Sequence, residues 1–181
     1  MISDQEHFQH IYNQYKVLVF NVALHYLQNS EDAEEITQDV FIQVHNSIAT
    51  FNEKSSLKTW IYRIAINKSL DFIKHKNSSK RFFIFGKKSN NQLEIKNLST
   101  FEHPGIVLQN KENAAILFNA INSLSENQKT AFILSKLDGL SNPEISEVMN
   151  ISISAVESLV FRAKKALQEQ LENKFEEYRK K

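Results

Sequence analysis

Three carboxylates, Glu31, Glu35 and Asp39, recur at i, i+4 and i+8, the interval that aligns side chains along one helical face. Glu34 and Gln38 widen this stripe. A stripe of this kind fits a docking face for a basic partner, with electrostatic steering of the encounter. A solvated face favoured by the helix dipole is the plainer alternative. Further on, Lys58, Arg63, Lys68, Lys74 and Lys76 share one segment with Trp60, Tyr62 and Asn67, beside a loop holding Phe51, Asn52, Ser55 and Ser56. Basic side chains neutralise phosphates, aromatic rings stack on unpaired bases, and amides or hydroxyls read base edges. Trp60 alone would equally serve a core, but the combination points to nucleic acid. A third group, Ser154, Ala155, Glu157, Ser158 and Arg162, opens a helical stretch that continues into Lys164 and Lys165. Side chains so placed reach base edges in a major groove while the cations meet phosphates. Glu157 either accepts from a cytosine or closes a capping box with Ser154.

Catalytic chemistry finds little footing. His7 and His10 stand at i, i+3, but no carboxylate or third histidine is spaced to complete a metal site, and the remaining histidines are scattered. No nucleophile has a base recognisable from spacing. The only glycines are Gly86, Gly105 and Gly139, so neither GxGxxG nor GxxxxGK can be written. With no cysteine, disulfides, thiolate metal sites and thiol catalysis are excluded, which fits a reducing compartment. No enzyme activity, cofactor, metal or small-molecule substrate is expected.

The elements that must position these groups read as helices. Phe8, Ile11, Tyr12, Tyr15, Leu18, Val19, Val22 and Tyr26 mark a first helix, from about Gln5 to Leu27. Asn29 or Ser30 caps a second, which turns Ile36, Val40, Phe41, Val44 and Ile48 inward. A third runs from about Thr59 to Lys76 and packs Trp60, Ile61, Ile64, Ala65 and Phe72 on one side. Periodicity then lapses over 77–110. There Phe82-Phe83-Ile84-Phe85 either packs back on the first domain or serves a partner. A helix from Asn113 to Leu124 is followed by Ser125-Glu126-Asn127-Gln128 and Ser141-Asn142-Pro143-Glu144, two capping-box patterns separated by a stop at Gly139. A short helix over Pro143–Met149, a tight turn at Asn150-Ile151 and a long helix capped by Ser152 or Ser154 make a helix-turn-helix layout.

Composition agrees. Of 181 residues, 41% are apolar, with 3 Gly and 2 Pro, which favours an all-α chain over one built on hairpin turns. The expected organisation is two small helical domains, 1–76 and 112–174, joined by a basic flexible linker, 77–111, with a charged tail at 175–181. Net charge is only +1, yet residues 1–57 carry 2 basic against 8 acidic side chains, while residues 58–96 carry 10 against 2. That segregation calls for one surface facing a cation and another facing a polyanion. No apolar run reaches the roughly 18 residues of a membrane span, and residues 1–30 lack the pattern of a signal peptide. A soluble cytoplasmic protein is expected.

These pieces together resemble the extracytoplasmic-function (ECF) sigma factors of bacterial RNA polymerase. Glu31-Asp32-Ala33-Glu34-Glu35-Ile36-Thr37-Gln38-Asp39-Val40-Phe41 is similar to their polymerase-docking helix. Phe51, Leu57-Lys58-Thr59-Trp60-Ile61-Tyr62-Arg63-Ile64-Ala65-Ile66-Asn67 and Asp71 resemble their −10 loop and helix. Leu124 to Gln128, Asp138-Gly139-Leu140-Ser141, Glu144-Ile145 and Val156 to Lys164 resemble their second domain, in the right order.

The resemblance implies docking on core RNA polymerase through Glu31, Glu34, Glu35, Gln38 and Asp39. It implies −10 contacts from Phe51, Asn52, Ser55, Ser56, Lys58, Trp60, Arg63, Asn67, Lys68 and Lys74, with a non-template base flipped into the 51–57 loop beside Asn67. It implies −35 contacts from Ser154, Ala155, Glu157, Ser158, Arg162 and Lys165, and an anti-sigma factor as a further partner. Glu157 and Leu159 stand where many members carry basic residues, which shifts phosphate binding toward Arg162, Lys164 and Lys165. The competing readings are a stand-alone helix-turn-helix regulator, with residues 1–76 for ligand binding or dimerisation, and a helical adaptor whose charges only solubilise it.

Overall fold

The computed structural model describes residues 4–52, 54–85 and 108–179, with side chains over 5–52, 54–76 and 113–172. Helices α1 (Asp4–Leu27), α2 (Ser30–Ser47) and α3 (Leu57–Phe85) lie in the first unit, and α4 (Leu108–Ser123), α5 (Glu126–Lys136), α6 (Asn142–Met149) and α7 (Ile153–Arg179) in the second. No strand occurs among the described residues, so the architecture is all-α. The chain divides into two compact units, Met1–Glu102 and His103–Lys181.

In the first unit, α1, α2 and α3 pack pairwise. Their shared core holds Ile11, Val19, Val22 and Tyr26 of α1, Ile36, Val40, Phe41 and Val44 of α2, and Ile61, Ile64 and Ala65 of α3. Each large apolar side chain buried there contributes about 1.5 to 3 kcal/mol. Between α1 and α2 the chain reverses through Gln28, in the left-handed region at φ 56°. Asn29 then caps α2, its Oδ1 accepting from the Asp32 N–H at 2.8 Å. A single 3₁₀ turn, Ile48–Thr50, leads out of α2. The N-terminus of α3 is closed by Ser56, whose Oγ accepts from the Thr59 N–H at 3.0 Å.

Two helices outrun their expected ends. α3 continues past Lys76 to Phe85, because Asn77-Ser78-Ser79 lowers helix propensity by only about 0.5 kcal/mol per residue. α7 continues past Leu171 to Arg179 through residues that are mostly good helix formers. The expected contact of Phe82–Phe85 with the first domain, and residues 86–107 of the linker, lie outside the described side chains and backbone respectively.

The second unit is built on its turns. Gln128 accepts from the Ser125 N–H at 3.4 Å, and Glu144 accepts from the Ser141 N–H at 2.9 Å and its hydroxyl at 2.8 Å, the reach-back half of each capping box. Between α5 and α6, Gly139 takes φ +70°, a conformation a side chain disfavours. Asn150, at φ 54°, makes the tight turn between α6 and α7, and Ile151 N–H returns to the Ser146 carbonyl at 3.2 Å. Ile145, Val148, Val156, Val160 and Ala163 then seal α6 and α7 into the core with Ile121, Ile133 and Leu134.

Candidate functional site

Helical geometry splits the acidic stripe of α2 in two. At 100° per residue each step of four drifts by about 40°, so Glu31, Glu35 and Asp39 do not stay in line. Glu31, Glu35, Gln38 and the exposed Ile42 form the outward row, with Glu34 on its flank. Asp39, with Asp32 about two turns before it, turns toward α3. There Asp39 Oδ2 lies 3.7 Å from Lys68 Nζ, and Asp32 Oδ2 bonds Lys76 Nζ. The pairs 39–68 and 32–76 fix α2 and α3 as antiparallel neighbours. The sequence sends Lys68 and Asp39 to separate surfaces, and the fold makes them partners.

An open groove of about 930 Å³ runs between the two helices. Trp60, Arg63, Asn67 and Asp71 line it from α3, at intervals of three and four, while Glu35 and Asp39 line it from α2. At one end the rings of Phe51 and Trp60 meet at 5.1 Å with a 35° tilt, both half-buried. Trp60 is therefore neither sealed in the core nor fully free. Asn52 and Asn67 are exposed and Ser55 is half-exposed. Ser56 spends its hydroxyl on the cap of α3, also donating to Thr59 Oγ1 at 2.9 Å. Lys58 and Lys74 are exposed and lie off the groove lining, Lys58 Nζ standing 5.9 Å from the Tyr62 ring centroid. One expectation needs correcting: Tyr62 is not offered to solvent but is 4% exposed, because it falls beside Ile61 and Ile66 on the buried side of α3.

On α7 the buried face is Val156, Val160, Ala163 and Leu167. Opposite it, Ser154, Ser158, Phe161 and Lys165 fall within about 60° of one another, with Arg162 and Ala155 to one side and Glu157 to the other. Of these only Ala155 is half-buried. Ser152, not Ser154, caps the helix, its Oγ accepting from the Ala155 N–H at 3.2 Å. That removes the capping box proposed for Glu157, which instead accepts from Asn142 Nδ2 at 3.4 Å.

Two apolar residues on these faces escaped the sequence reading: Ile42, 60% exposed on α2, and Phe161, 68% exposed on α7. Periodicity held the signal, since both fall off the apolar stripe of their own helix. Among the described residues no group of three or more His, Asp or Glu side chains is placed to hold a metal ion, and no helix is long and apolar enough to cross a membrane.

The chain matches the family model Sigma-70 region 2 over residues 11–79 and Sigma-70, region 4 over residues 114–167. It is 29% identical over 174 residues to the ECF RNA polymerase sigma-E factor of Haemophilus influenzae, covering 96% of this chain and 89% of that protein. It is 28% identical over 172 residues to the ECF RNA polymerase sigma factor SigW of Bacillus subtilis, covering 93% and 90%. Among solved structures it is similar to the sigma factor RpoE of Bartonella quintana, crystallised with the anti-sigma factor NepR. The TM-score is 0.65 at 22% identity, over 92% of this chain and 98% of that one. The region-2 match spans the α2–α3 groove and the region-4 match spans the helix-turn-helix, so the chain belongs to the extracytoplasmic-function sigma factors of the sigma-70 family.

Proposed function

We propose that this sigma factor docks on core RNA polymerase through the outward row of α2, opens the −10 element along the α2–α3 groove and reads the −35 duplex with α7. Directing promoter-specific initiation is the activity of the whole chain, and these surfaces are the division of labour within it. The observation that carries the assignment is the groove itself. It has the carboxylates of Glu35 and Asp39 on one wall and Trp60, Arg63 and Asn67 on the other, and this juxtaposition supports the reading.

The chemistry follows from the side chains. A base must leave its stack before its pairing edge can be read, at a cost of a few kcal/mol. The tilted Phe51–Trp60 pair supplies an aromatic surface for it, and the exposed amides of Asn52 and Asn67, with the Ser55 hydroxyl, supply hydrogen bonds. Lys58, Arg63, Lys68 and Lys74 meet the backbone. Ser56 serves this loop indirectly, by fixing the start of α3.

On α7, Ser154, Ser158 and Glu157 face base edges, Phe161 offers an apolar contact for a thymine methyl, and Arg162 and Lys165 meet phosphates. Ala155, half-buried, lets the duplex approach the helix closely. No reaction is carried out by the chain, and it works in the cytoplasm, where core polymerase is found. A similar sigma factor is bound by an anti-sigma factor, and we infer a partner of that kind here.

The test mixes the purified chain with bacterial core polymerase on a library of random promoters. Specific transcripts, lost with Glu31→Lys plus Glu35→Lys on the outward row of α2 while the circular dichroism spectrum stays helical, are the expected result. A folded chain that ignores polymerase yet shifts duplex DNA would transfer the assignment to a stand-alone regulator.

A further inference from the structure

Glu157 is out of place by charge on the DNA face of α7. It is exposed, and the positions three and four residues away on its own helix carry Ile153, Ser154, Val160 and Phe161, so no cation there neutralises it. Glu169, further along α7, is by contrast paired with Lys165 at 4.0 Å. Ser152 makes the helix cap, so Glu157 has no part in that either. What holds it is Asn142, the first residue of α6, whose Nδ2 donates to Glu157 Oε1 at 3.4 Å. Ile145, Val148, Val156 and Val160 already seal the two helices together, and an exposed hydrogen bond of that length adds little to them.

A carboxylate brought against a polyanion is repelled unless it meets a donor, and in its ionised form it only accepts. In the major groove the bases offer two donors, cytosine N4 and adenine N6, while guanine and thymine present acceptors. Adenine sets its N7 acceptor beside N6, which suits an amide better than a carboxylate. We infer that Glu157 selects a cytosine in the −35 duplex and that Asn142 is the positioning residue that aims it. The inference rests on the proposed placing of α7 in the major groove. Asn142 holds one carboxylate oxygen and leaves the other to accept from N4. Untethered, the long glutamate side chain has many rotamers and swings away from the phosphates. Guanine or thymine at the same step would face the held carboxylate acceptor to acceptor, so rejection adds to attraction.

The test uses holoenzyme assembled from the full-length chain and bacterial core polymerase, on an active promoter randomised across its −35 element, with the transcribed templates sequenced. Wild type should favour cytosine at one −35 position by about tenfold. Glu157→Gln, whose amide pairs with adenine N6 and N7, should move that position from cytosine to adenine and leave the others unchanged. Asn142→Ala should flatten it. Asn142→Asp should flatten it too, by repelling Glu157, although an acidic residue in the first turn of α6 favours the helix. Asn142→Gln keeps the donor and should keep the cytosine. A purely structural contact would move none of these base preferences.

A −35 profile unchanged by Glu157→Gln would overturn the inference. A cytosine preference that survives both Asn142→Ala and Asn142→Asp would overturn the positioning role. Failure of the reading beneath looks different. If Arg162→Ala lowers transcription from every template while Glu157→Gln leaves the profile as in wild type, α7 lies on the duplex and only the inference falls. If neither substitution changes anything, α7 is not on the −35 duplex at all.

Discussion

Lys129→Met should stabilise the second helical unit at neutral pH and lose that advantage in alkali. Lys129 sits on α5 with only 7% of its surface exposed, its Nζ 2.6 Å from Asn122 Oδ1. Burial lowers its pKa from 10.5 to about 8, against the opposing pull of Glu126. Below pH 8 the amine is charged in both folded and unfolded chains, so the full penalty of burying the charge weighs on the fold. As pH rises from 8 toward 10.5 the folded chain loses its proton first, and stability increases. Above 10.5 both states are neutral and the penalty is gone.

The gap between the two pKa values, at 1.36 kcal/mol per unit, sets the penalty at about 3 kcal/mol. Methionine matches the aliphatic stem and carries no charge, while Asn122 is exposed and can turn to water. Allowing for imperfect packing of the thioether, the variant should gain about 1 to 3 kcal/mol near pH 7. Urea unfolding of both full-length proteins, followed by circular dichroism near pH 7 and near pH 10, reads the difference directly. Using the difference between two proteins cancels the other groups that titrate in that range. A stability gap that is the same at both pH values would refute the reasoning, as would a variant less stable than wild type near neutrality.

Three other outcomes are expected. Asn67→Ala should weaken open-complex stability more than initial polymerase binding to promoter DNA, measured by heparin challenge against a gel shift on closed complexes; equal losses would remove Asn67 from base capture. Arg162→Ala should lower affinity for −35 duplexes uniformly across sequences and reduce the salt slope by about 0.9, the value for one phosphate contact. If it instead alters which base is preferred, Arg162 reads a base edge. Gly139→Ala should destabilise the second unit by about 1 kcal/mol in thermal melts, because φ +70° strains any side chain although nothing lies within 4 Å of the added carbon.

Much of this protein was written locally. Scarce glycine and proline, apolar residues at helical intervals, and Asn29, Ser125 and Ser141 ahead of their helices specified most of the elements and their starts. Those signals are legible because a cap acts within three residues of itself. Helix ends were read less well. The apolar rhythm lapses after Lys76 and Leu171, but a backbone helix does not need a core to face, and both helices run on.

The sequence alone also decided what the candidate surfaces are made of: carboxylates on α2, cations and aromatics on α3, small polar residues and arginine on α7. It could not decide which side of each helix faces what. That follows from the packing of α1, α2 and α3, which buries Tyr62, leaves Ile42 outside, and turns Asp39 out of its stripe to meet Lys68. A spacing of four residues is not a full number of turns, so a row drawn on the sequence twists around its helix. Only a neighbouring helix, packed at a definite angle, determines where that row stops facing solvent and begins to face another part of the chain.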